Sequence, residues 1–202
     1  MKHPVSKLVL VLMIATLMSA CATSYQPVPA FTPVAVDAGG YALKTQNVLV
    51  ILDTSSSMGD GYGQWQKLDI ATAVVRNMTE TIPADVGIKS GLRTFGHDSQ
   101  FSRKPTMLID DMGEFDKTEQ LDALSTITTA GGTSPLEMAI DGAIDDLDGL
   151  GGNSAVIIVT DANSMAAQPT ASAAAVKDKF GDSLCFYPIL VGDDAGGQKL
   201  ME

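Results

Sequence analysis

Residues 47–58 read NVLVILDTSSSM, and this stretch decides the fold. Its unbroken apolar run, VLVIL, is typical of a parallel strand that is buried on both faces. Asp53 ends the run, and Ser55 and Ser57 follow at alternate positions. Open α/β sheets place their binding sites just past the carboxyl ends of such strands. One carboxylate and two hydroxyls therefore arrive where a site is expected, and hard oxygen donors favour Mg²⁺, Mn²⁺ or Ca²⁺ over zinc.

Predicted strands and helices alternate along the chain after this first strand at 48–53. The segment 67–82 has apolar residues at helical spacing and ends before Pro83. The alternation predicts an α/β fold, a doubly wound, mostly parallel sheet with helices on both faces. Pro188 lacks a backbone donor and predicts a sheet edge or a bulge. The remaining predicted strands are 87–95, 106–109, 155–160 and 184–191, and the remaining helices are 115–127, 135–147 and 170–180.

The N-terminal end has the features of an export signal. A basic start precedes the apolar segment 8–20, which is too short to span a bilayer as a helix. Small residues then precede Cys21, and the whole resembles a bacterial lipoprotein signal peptide over 1–20. The resemblance implies a lipid on Cys21 and, with Ala22 after it, attachment to the outer membrane facing the periplasm. An ordinary secretory signal or an N-terminal anchor are the alternatives.

Composition narrows the partners of the mature chain. The residues 21–44 are rich in proline, glycine and small side chains, which predicts a flexible tether. The formal net charge is −11 at pH 7 for the full chain and −13 once residues 1–20, with two lysines and no acid, are removed, so we do not expect nucleic acid as a partner. His97 is the single histidine outside the signal peptide, and we expect it in an exposed loop. Cys185 would be a buried thiol, or a cysteine whose partner is missing from the chain.

Two further segments bring oxygen ligands to the same edge of the sheet. Thr133 lies in the turn before a helix for which Ser134 is the expected N-cap, with Pro135 at the first helical position. A second apolar strand ends in Asp161. Two carboxylates and three hydroxyls, directly or through water, can form an octahedral site for a hard dication. Few charged ligands leave the ion electrophilic, so an open position could take a carboxylate from a partner protein.

These residues resemble the metal-ion-dependent adhesion site of the von Willebrand factor type A family. The pattern is Asp53-x-Ser55-x-Ser57, Thr133 in GGTSPL and Asp161 after VIIVT. The resemblance implies that the first three are first-loop ligands, Thr133 the second-loop ligand and Asp161 the third-loop acid. It also implies a doubly wound α/β fold, a divalent cation, most often Mg²⁺, and metal-mediated protein binding without catalysis. LRTFG and LVGDD are further similar to envelope proteins that join this domain to an OmpA-like domain.

The chain departs from the family pattern at two places. Ala162 follows the third-loop acid where the family commonly has glycine, which predicts a shifted loop. The domain at 45–202 is also shorter than the family's, which usually continues with one more strand and helix. This shortness raises the alternative of a truncated, non-functional copy.

Other functions are weighed against metal-mediated binding. The domain could serve envelope tethering, with the metal incidental. A metal-dependent hydrolase is the remote alternative, since no general base or phosphate-binding loop supports it. The stretch GDGYGQW fails as a dinucleotide fingerprint because Gln64 stands where glycine is needed. Tyr62 and Trp65 in this stretch could contact a partner, or Trp65 could pack at the helix start.

Overall fold

The structure is a computed structural model that describes residues 24–34, 36, 42–163 and 168–201. The predicted signal peptide, Cys21 and part of the predicted tether lie outside the described residues. Within them, no helix combines the length and apolar character needed to cross a membrane. The strands are β1 (Asn47–Asp53), β2 (Gly61–Tyr62), β3 (Trp65–Gln66), β4 (Lys89–Phe95), β5 (Thr106–Glu114), β6 (Ser154–Thr160) and β7 (Leu184–Leu190).

Five of these strands form one sheet in the order β5-β4-β1-β6-β7. The pairs β1–β4, β1–β6 and β6–β7 are parallel, and β5 runs antiparallel to β4. The mostly parallel, doubly wound sheet predicted from the sequence is confirmed. Pro188 lies on β7, at an edge of the described sheet, as its missing donor predicts. β5 runs to Glu114, well beyond the predicted end at 109, because acids interrupt its apolar pattern without ending its pairing.

Helices cover both faces of the sheet. Leu49 and Ile51 of β1 face one apolar core, while Val50 and Leu52 face the other, as the two-residue period of a strand requires. All four side chains are almost wholly buried. The helices are α1 (Lys67–Thr81), α2 (Lys117–Ser125), α3 (Leu136–Leu147), α4 (Gln168–Phe180) and α5 (Ala195–Met201). The first core contains α3 and α4, and the second contains α1 and α2.

The start of α3 differs from the prediction. The helix begins at Leu136, and Pro135 occupies the N-cap position without a side-chain hydrogen bond. Pro135 has φ −86° and ψ 61°, outside the helical region, so it cannot be the first helical residue. Its carbonyl accepts hydrogen bonds from the amides of Met138 and Ala139. The expected Ser134 cap is therefore wrong, and the buried Ser134 hydroxyl has no partner among the described residues.

Cys185 is an exposed free thiol, so its predicted burial is wrong. It lies on β7, whose outer positions are largely uncovered, and its near neighbour Tyr187 is 52% exposed. An apolar strand alone does not determine whether another element covers its face.

Asp110 on β5 should make stability depend on pH. Burial, followed by the charges of Glu119, Asp111 and Asp116, raises its pKa from 3.8 to about 6. The folded state then binds this proton more tightly than the unfolded state, so stability falls as pH rises from about 4 to about 6. We expect Asp110→Asn to raise the free energy of unfolding at pH 7, by less than about 1 kcal/mol after solvent screening.

Melting temperatures of the wild type and Asp110→Asn between pH 4 and 8 test this expectation. The gap between the two proteins should close near pH 4. Asp85→Asn, in the exposed turn after α1, serves as the control and should leave the melting temperature unchanged. A gap of the same size at every pH would contradict the assignment to Asp110.

Candidate metal centre

The two predicted carboxylates meet at the carboxyl edge of the sheet. β1 and β6 are adjacent and parallel, so Asp53 at the end of β1 and Asp161 directly after β6 lie at the same edge. The Ser57 hydroxyl donates to Asp161 Oδ1 at 3.0 Å and lies 3.3 Å from the Ser55 hydroxyl oxygen. The first and third predicted loops are thus joined by a continuous chain of oxygen atoms.

Asp53 is fully buried and held on both carboxylate oxygens. Oδ1 accepts a hydrogen bond from the Ser55 amide at 2.8 Å, and Oδ2 accepts one from the Thr160 hydroxyl at 2.5 Å. Burial raises the pKa of Asp53 to about 6, although hydrogen bonds from Ser55 and Thr160 oppose the rise and the Asp161 charge adds to it. A cation beside this carboxyl would offset the unfavourable burial of its charge.

A lysine that the sequence did not indicate completes the polar cluster. Lys67, the first residue of α1, places Nζ 2.9 Å from Asp161 Oδ2. The Asp161 side chain is 1% exposed and that of Lys67 14% exposed, so water screens this ion pair weakly. Thr160 was missed as well, although a hydroxyl directly before the third-loop acid was a usable signal. No sequence signal indicated Lys67, because residue spacing does not predict which side chain of a helix contacts the edge of a sheet.

Thr133 lies on a loop that packs directly against the first loop. The Ser56 amide donates to the Gly132 carbonyl at 3.1 Å, and the Gly131 amide donates to the Thr54 carbonyl at 2.9 Å. Thr133 itself is exposed. Among the described residues, no hydrogen bond joins its hydroxyl to the other four predicted ligands. The structure therefore brings the three loops together, and the five-residue metal site stays a prediction.

Ala162 has a backbone conformation that glycine adopts more readily than any other residue. Its φ is +49°, in the left-handed region, and its amide donates to the Thr160 hydroxyl at 2.9 Å. Alanine pays a steric penalty there that glycine avoids. The loop after Asp161 thus keeps a glycine-like turn despite the departure from the family pattern.

His97 is buried, so its predicted place in an exposed loop is wrong. It is 6% exposed and packs against Phe101, with ring centroids 5.3 Å apart. Nδ1 lies 3.1 Å from the Lys104 carbonyl, which can only accept, so Nε2 is left to accept from the Thr94 hydroxyl. Burial lowers the pKa of the imidazole. Both nitrogens are engaged, which leaves no nitrogen to activate a serine.

The model of the von Willebrand factor type A domain matches residues 48–163, more than half of the chain. The chain belongs to this family. No curated protein sequence matches it. Von Willebrand type A domains are generally interaction modules rather than enzymes, and the family often binds a divalent metal. Within the described residues no group of three or more His, Cys, Asp or Glu could hold a metal, so hydroxyl oxygens would have to contribute.

Solved structures of von Willebrand type A proteins share the fold. A domain from Catenulispora acidiphila has a TM-score of 0.58 at 15% identity, over 78% of this chain and 36% of that chain. An aerotolerance-related membrane protein from Bacteroides fragilis has a TM-score of 0.57 at 20% identity, over 72% and 67%. The manganese-loaded TRAP protein from Plasmodium vivax has 0.55 at 18%, over 78% and 62%. At these identities the likeness shows the fold alone.

Proposed function

We propose that this chain is a cell-envelope module that binds a partner protein through a divalent cation. The ligands would be Asp53, Ser55, Ser57, Thr133 and Asp161. The observation that carries the proposal is the continuous cluster of oxygen atoms from the first and third loops at one edge of the sheet, with the second loop packed against the first. Family membership supports the same reading, because these domains are typically interaction modules.

The donor set fits a hard dication of the Mg²⁺ class. Carboxylate and hydroxyl oxygens suit Mg²⁺ and Mn²⁺, and neither thiol nor imidazole is present among the proposed ligands. When bound, the ion would supply an electrophilic centre for an acidic side chain of the partner. The manganese-loaded TRAP protein has the same fold, which supports the proposal of a divalent ion. Asp53 and Asp161 would supply two negative charges, and the neutral hydroxyls would add ligands without adding further charge.

The cell envelope is the proposed location. The lipoprotein-like signal at 1–20 would leave a lipid on Cys21, holding the protein on the outer membrane and facing the periplasm. The fold shared with an aerotolerance-related membrane protein is consistent with an envelope role. Membrane fractionation of the wild type and Cys21→Ser tests the anchor, because only the wild type should sediment with membranes.

Calorimetric titration with Mg²⁺ and Mn²⁺ tests the metal site. Asp53→Ala should weaken binding by about 100-fold, since removal of a charged ligand costs about 3 kcal/mol. Asp53→Asn keeps the side-chain volume and guards against loss of folding. Asp141→Ala, on the exposed face of α3, is the matched control and should bind like the wild type. Negligible binding by wild type and variant alike would sink the proposal.

Envelope tethering without metal is the competing function, and EDTA separates the two. Under the proposal, immobilised wild type retains envelope proteins that EDTA elutes and that Asp53→Ala does not retain. Equal retention by both proteins in EDTA would instead favour a tethering role in which the metal is incidental.

Lys67 should act as an internal competitor of the cation. Its ammonium already neutralises Asp161 at 2.9 Å, and a dication must overcome that attraction and the added positive charge. We expect Lys67→Met to raise the affinity for Mg²⁺ by about 3- to 10-fold, or about 0.7–1.4 kcal/mol. Lys179→Met removes the lysine of an exposed pair and should leave the affinity unchanged. Weaker binding by Lys67→Met would show that the lysine positions Asp161 instead.

A further inference from the structure

The N-terminal segment contacts the domain first at the edge that carries the proposed metal site. We call residues 24–34 and 36 the strap. The Gln26 amide donates to the Gln64 carbonyl at 2.8 Å. The Tyr25 ring lies so close to Gly61 that a Cβ on that glycine would come within 2.6 Å of it. Both partners belong to the β2–β3 hairpin, which leads directly into Lys67 and its ion pair with Asp161.

From the hairpin, the strap runs the length of the domain to its opposite edge. Residues 27–31 line a groove together with Asp69, Ala73 and Arg76 of α1. Val36 then lines a groove together with Pro83, which follows the end of α1. The chain enters β1 at this opposite edge. The chain therefore leaves the domain towards Cys21 at the metal edge and not at the edge where β1 begins.

This path strongly limits how far the domain can stand from a lipid on Cys21. Three residues lie between Cys21 and Tyr25, and the four steps from one Cα to the next span at most about 14 Å. A free tether over 21–44 would have a root-mean-square reach of about 27 Å and would impose no orientation. With the strap docked, the hairpin and the neighbouring metal edge are the parts of the domain nearest to the lipid.

We propose that the strap turns the metal edge towards the membrane that holds the lipid, and that the acidic group bound there belongs to a protein in or on that membrane. This inference rests on the proposed lipid anchor and metal site. The bilayer itself is a poor partner, because the net charge of −13 that remains after removal of residues 1–20 is repelled by anionic headgroups. A partner protein at the same surface can instead present a carboxylate within the short space that the strap allows.

Trp65, the single tryptophan, is a native reporter in the hairpin. Energy transfer from Trp65 to dansyl-labelled headgroups is measured for the lipidated full chain in phosphatidylethanolamine–phosphatidylglycerol vesicles. Trp65→Phe combined with Asp85→Trp moves the reporter to the opposite edge. We expect transfer at least about threefold stronger from Trp65, given the steep distance dependence. Equal or reversed transfer would overturn the proposed orientation.

Two variants test whether the strap sets the orientation. Tyr25→Ala with Gln26→Pro removes the ring contact and the amide donor, and it should abolish the difference between the two reporters. If that protein does not fold, a flexible insert of about 20 residues between Ala22 and Thr23 leaves the strap contacts intact. The insert adds a reach of about 25 Å, so transfer from Trp65 should fall towards the level at position 85. Unchanged transfer in both would overturn the role of the strap.

Separate measurements distinguish a missing lipid anchor from a wrong orientation of the domain. Vesicle flotation reports lipidation, with Cys21→Ser as the control. If the chain is not lipidated, Cys21 is coupled to a maleimide lipid in the Cys185→Ser protein, and the same transfer measurements decide the orientation.

A crosslinking experiment tests the class of partner. A photo-crosslinker is placed at Ser99, an exposed residue beside the Thr133 loop, and is activated in cells. EDTA-sensitive adducts with membrane proteins are expected, whereas adducts confined to soluble proteins would overturn the partner class.

Discussion

Replacing Gly96 with alanine should lower the free energy of unfolding by about 2–4 kcal/mol and weaken cation binding at least about tenfold. Gly96 follows β4 and has φ +73°, a conformation that costs alanine about 1–2 kcal/mol. A Cβ there would lie 2.5 Å from the Thr133 carbonyl oxygen and 2.8 Å from Ser55 Cβ. Both neighbours belong to loops that carry proposed ligands. Relief of the collision therefore separates the first and second loops.

Urea unfolding and Mg²⁺ titration of the same protein samples measure the two effects of Gly96→Ala. Gly149→Ala is the matched control, because Gly149 has φ +74° and no heavy atom within 4 Å of an added Cβ. The control variant has the backbone strain alone, about 1–2 kcal/mol, and should bind the cation like the wild type. Equal destabilisation by the two substitutions would show that the loops can move apart freely.

The sequence predicted those parts of the site that depend on a single strand and the residue after it. An unbroken apolar run and the acid at its end are local signals, so the positions of Asp53 and Asp161 followed once the sheet was taken as parallel. Their adjacency also followed, because neighbouring parallel strands end at the same edge. The sequence also predicted where the second loop lies along the chain, because that loop directly precedes a helix that apolar spacing indicates.

The errors concern side chains whose environment depends on distant elements. His97 is buried because the turn carrying Phe101 packs over it, and Lys67 reaches Asp161 because α1 begins beside the third loop. Neither contact leaves a trace in residue spacing. The docking of Tyr25 on the hairpin was equally invisible, since a proline-rich segment predicts an extended chain whether or not it has a surface to lie on.

Asp146 is the clearest case of a side chain whose environment the sequence did not predict. Its replacement should have the second large effect. Its sequence neighbours on α3 suggest one solvated acidic face, yet the Asp146 side chain is only 7% exposed. It accepts hydrogen bonds of 2.6 Å from both Nε and Nη2 of Arg93 on β4. Gly142, one helical turn earlier, leaves room for the guanidinium, since a Cβ there would lie 2.8 Å from Arg93 Cζ. The acid is thus buried against the sheet and fully paired.

Asp146→Ala should lower the free energy of unfolding by about 3–5 kcal/mol, because it leaves the Arg93 charge buried without its partner. Asp148→Ala is the matched control on the same helix end: it breaks a pair with Lys179 whose side chains are 41% and 66% exposed, and should cost less than about 1 kcal/mol. Urea denaturation measures both losses. The double variant Arg93→Met with Asp146→Leu removes both charges, so it should recover at least half of the stability lost in Asp146→Ala. A double variant as unstable as the single one would assign the loss to packing around Gly142 rather than to the unpaired arginine.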